Sequence, residues 1–214
     1  MVVQIGSNDG KTGDPLYHWL MRKKGWSGVF VEPVPFVFDC LKETYKKEDR
    51  FIFENAAIND GSKVSFYWVS EDALSALPDL PSTWNQLGGF SREHITSHIP
   101  ELKPFIKKSN LRGLKLTDLF ERHSLKKIDL LHIDTEGSDF KILSQLDLDR
   151  FQPRGILYEQ IHLSEDEHSQ SIKFLQDRYA LFDLGNDMLA ISKDDDRGMK
   201  VTLKSIQSLR QPYL

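Results

Sequence analysis

Polar side chains that could bind a nucleoside and move a proton recur where short apolar segments of this chain end. A carboxylate such as Glu32 has two acceptor oxygens, so it can receive both hydroxyls of a ribose. A carboxylate such as Asp134 could hold the charged end of a cofactor or orient a substrate hydroxyl. Another polar pair, Glu159 and His162, includes a histidine able to act as a base. These residue types predict a cofactor site with acid–base chemistry.

The first ten residues, MVVQIGSNDG, predict a strand, a tight turn and a following helix. β-Branched residues favour a strand at positions 2–5, and glycines lacking a Cβ let the backbone turn sharply and approach a ligand. The first such turn in an open α/β sheet usually faces the nucleotide. The turn also fits an ordinary strand-to-helix connection, so both interpretations stay open on these residues alone. Its members are Gly6, Ser7, Asn8, Asp9 and Gly10.

Strands and helices alternate along the chain, which predicts βαβ units and a parallel sheet. The carboxyl ends of parallel strands share one edge, where the polar residues would meet. Residues 63–69 alternate polar and apolar types, as a half-exposed strand does, and residues 180–184 and 188–192 flank a turn that predicts a terminal antiparallel hairpin. The other predicted strands are 2–5, 28–33, 51–58, 128–134 and 155–162, and the predicted helices are 14–24, 35–47, 117–123, 138–146 and 164–179.

Residues 70–113 interrupt this alternation with prolines, a Gly-Gly pair and scattered aromatic residues. A loop of this length is usually functional or disordered, and its aromatic residues argue against disorder. We therefore expect an insertion that lies over the cofactor edge and faces the acceptor, with a short helix at 91–98. Trp84 and Phe90 could line an acceptor pocket or form the core of the insertion itself.

Metal ligation is not expected from the pattern of histidine and cysteine. His94 and His98 fall four residues apart on a predicted helix, a spacing that can bind metal. Because no third ligand is evident nearby in the sequence, we expect these two residues to form a solvated face. The single cysteine, Cys40, excludes an internal disulfide and a multi-cysteine zinc cluster.

The composition is ordinary for a globular protein, with 39% hydrophobic and 28% charged residues. The 214 residues fit one domain, assigned to 1–193, and a C-terminal tail at 194–214 with a helical piece at 200–209. A formal net charge of −4 offers no basic surface for nucleic acid. No transmembrane run or signal peptide is visible, so we expect a cytoplasmic protein. The first strand starts at once, which fits a fragment that lacks an N-terminal lead-in, and the sequence leaves this question open.

Four segments carry a family resemblance: VVQIGSNDG, VFVEP, NAAINDGSKVSFYWV and KLTDLFERHSLKKIDLLHIDTEGSDFKIL. They resemble the FkbM family of S-adenosylmethionine-dependent methyltransferases, across roughly residues 2–193. The resemblance implies a class I methyltransferase (Rossmann-like) α/β fold, a three-layer sandwich with a mostly parallel seven-stranded sheet and an antiparallel C-terminal strand. It also implies S-adenosylmethionine as methyl donor and O-methylation of a hydroxyl on a sugar, glycolipid or other small molecule.

The resemblance further implies which residues bind the donor. Glu32 matches the acid that holds the ribose, and Ala57 with its neighbours matches the wall of the adenine site. Asp134 and Glu136 match the family signature after a central strand. The residues expected to bind the donor are Gly6, Ser7, Asn8, Asp9, Gly10, Glu32, Pro33, Asn55, Ala56, Ala57 and Asp134.

A hydroxyl acceptor gains from a base that takes its proton, and Asp134, Glu136 and His162 are the favoured candidates. Glu136 could instead stabilise the start of the following helix, and His162 could be a hydrogen-bonded residue at the sheet edge. Two other functions stay open. An NAD-dependent Rossmann oxidoreductase would also use Glu32, although the turn lacks G-x-G-x-x-G. A non-catalytic nucleotide-binding module would keep the fold without turnover.

Overall fold

Two sheets and seven α-helices form the fold in the part of the chain that the structure describes. This computed structural model describes residues 1–81, 84, 87–195, 198 and 200. The strands are β1 (Val2–Ile5), β2 (Gly28–Val31), β3 (Phe51–Glu54), β4 (Lys63–Val69), β5 (Ile106–Arg112), β6 (Leu130–Ile133), β7 (Gly155–Glu159), β8 (Tyr179–Asp183) and β9 (Asp187–Ser192). The helices are α1 (Tyr17–Arg22), α2 (Pro35–Thr44), α3 (Asp72–Ala76), α4 (Arg92–His98), α5 (Leu116–Arg122), α6 (Asp139–Leu143) and α7 (Glu165–Leu175), and a 3₁₀ helix spans Pro100–Phe105.

The larger sheet has the strand order β3-β2-β1-β6-β7-β9-β8. Strands β3, β2, β1, β6 and β7 pair in parallel, and β9 pairs antiparallel with both β7 and β8. The chain order reverses between β1 and β6, and ligands of open α/β sheets bind beyond the strand ends at such a point. The predicted mostly parallel seven-stranded sheet is confirmed.

Alternate residues of the strands face opposite sides of this sheet, because successive side chains of a strand point in opposite directions. Val2 packs in an apolar cluster with Leu20 of α1 and Leu41 of α2. Its neighbour Val3 belongs to a second cluster, which contains Leu119 of α5 and residues of α6 and α7. Helices therefore cover both faces, and the predicted three-layer sandwich is confirmed.

The smaller sheet consists of β4 and β5 alone. They pair antiparallel from Lys63 opposite Arg112 to Val69 opposite Ile106. The sequence predicts β4 but assigns the β5 residues to irregular structure, and this assignment is wrong. The β5 sequence IKKSNLR is mostly polar and lacks the apolar alternation by which a strand is recognised.

The rest of the insertion has an apolar core of its own. Val69, Trp84, Ile95 and Leu102 are buried together in it. Helix α4 confirms the helix predicted at 91–98, and the Ser91 hydroxyl accepts a hydrogen bond in its first turn, as an N-cap does. Of the two positions predicted for Trp84, the core of the insertion is the observed one.

Three features at the ends of elements differ from the sequence prediction or lie outside it. Strand β3 ends at Glu54, and the more distant Ile58 makes only an isolated bridge to Leu114. Helix α1 begins at Tyr17, later than predicted, because the Asp14 carboxylate accepts the Leu16 N–H (2.6 Å) ahead of the helix. The helical piece predicted at 200–209 falls, beyond its first residue, outside the described residues. No described helix has the length and apolar character needed to span a bilayer.

Candidate active site

The turn after β1 requires glycine at its first position. Gly6 has a φ of +79°, and a Cβ there would lie 1.7 Å from the carbonyl oxygen of Asp134. The backbone N–H groups of Gly6 and Ser7 both donate to the carbonyl oxygen of Val31 at 3.0 Å. Asn8 follows with a φ of +47°, a left-handed conformation that asparagine tolerates better than most residues. The turn is thereby bonded to the end of β2 and packed against the end of β6.

Glu32 joins this turn to the loop after β2. Its Oε2 accepts the backbone N–H of Asn8 at 2.9 Å, and its Oε1 accepts that of Val34 at 2.8 Å. Burial raises the pKa of Glu32 to about 7, because desolvation outweighs the two hydrogen bonds that favour the charged form. Each carboxylate oxygen has a further acceptor position, so Glu32 can still receive hydroxyl groups from a ligand.

A cavity of about 1000 Å³, including its open mouth, lies at this edge of the sheet. The loops after β1, β2 and β6 contribute one part of its lining, and the insertion wall, which we define as Phe66, Gly88, Gly89 and Phe90, contributes another. The predicted site residues in the lining are Gly6, Ser7, Asn8, Glu32, Pro33, Ala56, Ala57, Asp134 and Glu136.

Two predicted donor-binding residues of the turn shape its backbone and do not appear in this lining. The Asp9 carboxylate accepts hydrogen bonds from the backbone N–H groups of Lys11 and Thr12 and from the Thr12 hydroxyl, at 2.7–2.9 Å. Gly10 has a φ of +71°, and its carbonyl oxygen accepts the Tyr45 hydroxyl at 2.9 Å. A Cβ at Gly10 would stand 2.6 Å from the Tyr45 ring, so glycine is needed there for packing.

Asn55 and His162 also stand outside the cavity lining. The Asn55 amide donates to the carbonyl oxygens of Glu32 and Pro33, at 2.8 and 3.1 Å, and so holds the loop after β2. His162 contacts the lining residue Glu136, with 3.2 Å between its Nε2 and the carboxylate Oε2. The structure therefore brings His162 to the site through Glu136.

The cavity lining is acidic. Four carboxylates belong to it, those of Asp14, Glu32, Asp134 and Glu136, and none of its described residues is lysine or arginine. Burial, followed by the nearby carboxylates of Asp139 and Glu136, raises the pKa of Asp134 to about 7. A concave surface with charge of one sign attracts ligands of the opposite sign, so this cavity favours a cationic ligand.

A fully buried carboxylate fixes the loop after β6. Asp139 accepts hydrogen bonds from the Thr135 N–H at 3.3 Å, the Thr135 hydroxyl at 3.1 Å and the Gly137 N–H at 3.2 Å. Burial raises the pKa of Asp139 to about 6 despite these bonds. Within the loop, Glu136 has a φ of +53°, a strained conformation that the surrounding structure must impose. Asp139 thus holds Glu136 at the edge of the cavity.

Histidines from two distant segments meet at Glu136. The Nε2 atom of His162 is 3.9 Å from Oε2 of Glu159, and Nε2 of His94 is 3.9 Å from Oε2 of Glu136. Burial and the surrounding carboxylates raise the pKa of Glu159 to about 9, and burial lowers that of His94. The expected solvated face is observed for the exposed His98 but is wrong for the half-buried His94, because α4 lies against the loop after β6.

Five described polar residues of the lining lie outside the predicted site: Gln4, Thr12, Asp14, His132 and Thr135. Gln4 and His132 are neighbours in the register of β1 and β6, and both are buried. Burial lowers the pKa of His132 to about 4, so its ring is neutral at pH 7. Asp14 accepts the Leu16 N–H ahead of α1 and also the Gln4 amide at 3.2 Å. Gln4 and His132 could have been found from the sequence, because each is a polar residue inside an otherwise apolar strand. Such residues seldom occupy a core without a function or a partner.

The strand order and the position of the cavity define the class of this protein. A mostly parallel seven-stranded sheet with an antiparallel β9, and a cavity beyond the ends of its central strands, constitute the class I methyltransferase fold. The family model described as "Methyltransferase FkbM domain" matches residues 4–187. The chain therefore belongs to the FkbM methyltransferase family, and the family resemblance inferred from the sequence is confirmed.

Solved methyltransferase structures of similar shape are distant in sequence. The fibrillarin/Nop5p complex matches with 12% identity and a TM-score of 0.44, over 89% of this chain and 70% of that chain. Ribosomal protein L11 methylase from Lactobacillus delbrueckii subsp. bulgaricus matches with 9% identity and a TM-score of 0.40, over 88% and 67%. Precorrin-6y C5,15-methyltransferase from Geobacter metallireducens GS-15 matches with 12% identity and a TM-score of 0.39, over 89% and 80%. A comparison with curated proteins gives no match.

Proposed function

We propose that this protein transfers a methyl group from S-adenosylmethionine to a hydroxyl of a sugar, glycolipid or other small molecule. The donor, when bound, supplies an electrophilic methyl group on a sulfonium. The chain's own residues bind the donor, orient the acceptor and take the proton that the hydroxyl loses.

The acidity of the cavity carries this proposal. S-adenosylmethionine bears a sulfonium and an ammonium against a single carboxylate, so its net charge is positive. The two phosphates of a nicotinamide dinucleotide are negative, and they would enter a cavity lined by four carboxylates and by no described lysine or arginine. A like-charge pair at about 4 Å costs roughly 4 kcal/mol at an effective dielectric constant of about 20. The site therefore fits the methyl donor better than the cofactor of the alternative oxidoreductase.

Glu32 is the residue that we assign to the donor's ribose. Both of its oxygens are already oriented by backbone N–H groups, those of Asn8 and Val34, so the carboxylate is ordered before any ligand arrives. Such preorganisation reduces the entropy lost on binding. The two vicinal hydroxyls of a ribose can each donate a hydrogen bond to a different oxygen of the Glu32 carboxylate. A side chain with one acceptor oxygen could not receive both in this way.

Asp134 is the residue that we propose takes the acceptor's proton. It lines the cavity, and its pKa of about 7 is close to the value at which a general base works best near neutral pH. Glu136 and His162 contact each other nearby, with 3.2 Å between Oε2 and Nε2. Asp139 acts as a positioning residue, because its hydrogen bonds hold the loop that carries Glu136.

Calorimetry with S-adenosylhomocysteine, the demethylated donor, tests the binding site. We expect Glu32→Gln to weaken binding by about 10- to 100-fold, since a hydrogen bond to a charged group contributes about 1.5–3 kcal/mol. Glu54→Gln is the matched control, because Glu54 ends the neighbouring strand β3 and pairs with Arg122 and His123 away from the cavity. Equal affinities for wild type and E32Q in folded protein would contradict the assignment.

A tritiated methyl-transfer screen against sugars, glycolipids and other hydroxylated small molecules tests the reaction. We expect radioactivity in at least one acceptor, in a product stable to base treatment, as an ether is. Binding of the donor without transfer to any acceptor would favour the non-catalytic module. Fluorescence transfer from the protein to NADH would favour the oxidoreductase.

A further inference from the structure

A group of metal-ligating side chains lies beside the cavity and is not needed for donor binding. One ligand atom each from Glu136, Glu159 and His162 falls within 4.8 Å of the others. These residues come from the loop after β6, the end of β7 and the segment that follows β7. His94 of α4 adds a fourth side chain, with its Nε2 3.9 Å from Oε2 of Glu136.

Hydrogen bonding within the described part of the protein leaves polar atoms of this group without a partner. The Nε2 atom of His162 can give one hydrogen, and the nearer oxygen, at 3.2 Å, belongs to Glu136. Oε2 of Glu159 and Nε2 of His94 are both buried and have no hydrogen-bond partner among the described residues. Buried polar atoms are nearly always satisfied, and exceptions call for an explanation such as an ion. A cation between these side chains would satisfy both atoms at once.

We propose that Glu136, Glu159, His162 and His94 bind one divalent transition-metal ion of the Zn²⁺ type. Two imidazole nitrogens and two carboxylate oxygens suit Zn²⁺ and its first-row neighbours, whereas Mg²⁺ and Ca²⁺ prefer oxygen ligands throughout. Bonds of about 2.1 Å in a tetrahedral site separate the ligand atoms by about 3.4 Å. Three of the pairs are 3.2, 3.9 and 3.9 Å apart, and the ligand atoms of Glu136, Glu159 and His162 all lie within 4.8 Å of one another. Side-chain rotation would therefore have to close the wider pairs when the ion binds.

His98 supports the site from outside. Its Nδ1 lies 2.9 Å from the carbonyl oxygen of His94. A carbonyl oxygen can only accept, so Nδ1 carries a hydrogen and donates it. The His98 ring centroid is 4.6 Å from that of His94 and 6.0 Å from that of His162, so His98 packs beside both proposed histidine ligands.

Metal binding at this position would fasten the insertion to the sheet. His94 belongs to α4 of the insertion, whereas the other three ligands follow strands of the larger sheet. Glu136 also lines the cavity, so the ion would lie at its edge. The metal site does not depend on the methyl-transfer proposal, and it can be tested without donor or acceptor.

Titration of the metal-free, untagged chain provides the test. We expect calorimetry with Zn²⁺ to give one ion per chain, and Co²⁺ to produce the intense visible absorption of a site with few ligands. Glu159→Gln and His94→Gln should each weaken Zn²⁺ binding at least about tenfold. His18→Gln removes an exposed histidine of α1 and is the matched control, expected to bind as wild type does.

The thermal midpoint gives a second readout, because a ligand that binds only the folded state raises it. Zn²⁺ should raise the midpoint of wild type and His18→Gln, and not that of Glu159→Gln. Absence of a stoichiometric site in wild type, or undiminished binding in Glu159→Gln and His94→Gln, would overturn the proposal. If either variant fails to fold, the wild-type Co²⁺ spectrum decides, and the pale spectrum of six-coordinate hydrated Co²⁺ would count against the site.

Discussion

The α-carbon of Gly6 faces the carbonyl oxygen of Asp134 so closely that a Cβ would lie 1.7 Å from it. This contact couples the turn after β1 to the exit of β6, and both segments contribute to the cavity. Because the neighbouring atom is backbone, it cannot rotate away as a side chain would. The left-handed φ of +79° adds a second reason for glycine.

Gly6→Ala should therefore lower the free energy of unfolding by about 3 kcal/mol or more, the range of severe backbone and packing defects. Gly25→Ala is the matched control, since a Cβ on Gly25 meets nothing within 4 Å, and it should change stability by about 0.5 kcal/mol or less. Urea denaturation of both variants gives the comparison. A Gly6→Ala protein as stable as Gly25→Ala would contradict the close contact.

Replacing Asp139 should lower the free energy of unfolding more than replacing a surface carboxylate that accepts similar hydrogen bonds. Asp139→Ala leaves the part-buried N–H groups of Thr135 and Gly137 without their fully buried acceptor, and we expect a loss of about 2–4 kcal/mol. Asp147 accepts two backbone N–H groups in an exposed position, and Asp147→Ala should cost about 1 kcal/mol. Denaturant titrations measure both losses, and similar values would show that the buried bonds add little.

The stability of the unliganded protein should contain a component from Glu32 that falls as pH rises. The pKa of Glu32 is raised from 4.5 to about 7, so the folded state holds this proton more tightly than the unfolded chain does. The resulting destabilisation is absent below about pH 4.5 and complete above about pH 7, where it reaches about 3 kcal/mol.

Denaturation of wild type and Glu32→Gln at about pH 5 and about pH 8 isolates this component. Between these pH values wild type should lose about 2 kcal/mol relative to the variant. Taking the difference between the two proteins removes the contributions of other titrating groups that both share. Parallel pH profiles would mean that the carboxyl of Glu32 titrates normally.

Asp134→Asn should separate proton transfer from donor binding. If Asp134 takes the acceptor's proton, kcat should fall by about 10²- to 10⁴-fold, while affinity for S-adenosylhomocysteine changes by less than about tenfold. Asp187→Asn is the control, because the charge of Asp187 also acts on Asp134 although the residue does not line the cavity. Retained kcat with lost affinity would assign Asp134 to the donor's ammonium group.

The larger sheet could be predicted from the sequence because local residue patterns indicate most of its strands and the helices between them. Apolar runs ending in glycine or acidic residues predict β1, β2 and β6 and the edge at which they meet. Strand β5 could not be found in this way, since a polar segment becomes a strand only through its long-range pairing with β4.

The site could be predicted in part for the same reason. Residues that follow a strand directly, such as Glu32 and Asp134, can be assigned to the sheet edge from the strand alone. The meeting of His94 with Glu136 and His162 depends on how the insertion folds back over the sheet, and no local pattern encodes that path. Asn55 and Asp9 also follow strands, as predicted. Their side chains nevertheless hydrogen-bond to the backbone of nearby loops and do not line the cavity.

The two walls of the cavity belong to different parts of the fold. The loops after β1, β2 and β6 follow strands of the seven-stranded sheet, which packs against two large apolar clusters. Phe66 and Gly89 of the insertion wall depend on the small β4–β5 sheet, in which Phe66 belongs to β4 and Tyr67 bridges Gly89. The two walls meet where Phe66 packs with Val34 and Ala57, so mutations at this contact affect both, whereas the cluster around Trp84 lies in the insertion. Natural selection can therefore vary the insertion at residues away from Phe66 while the loops of the larger sheet keep their sequence.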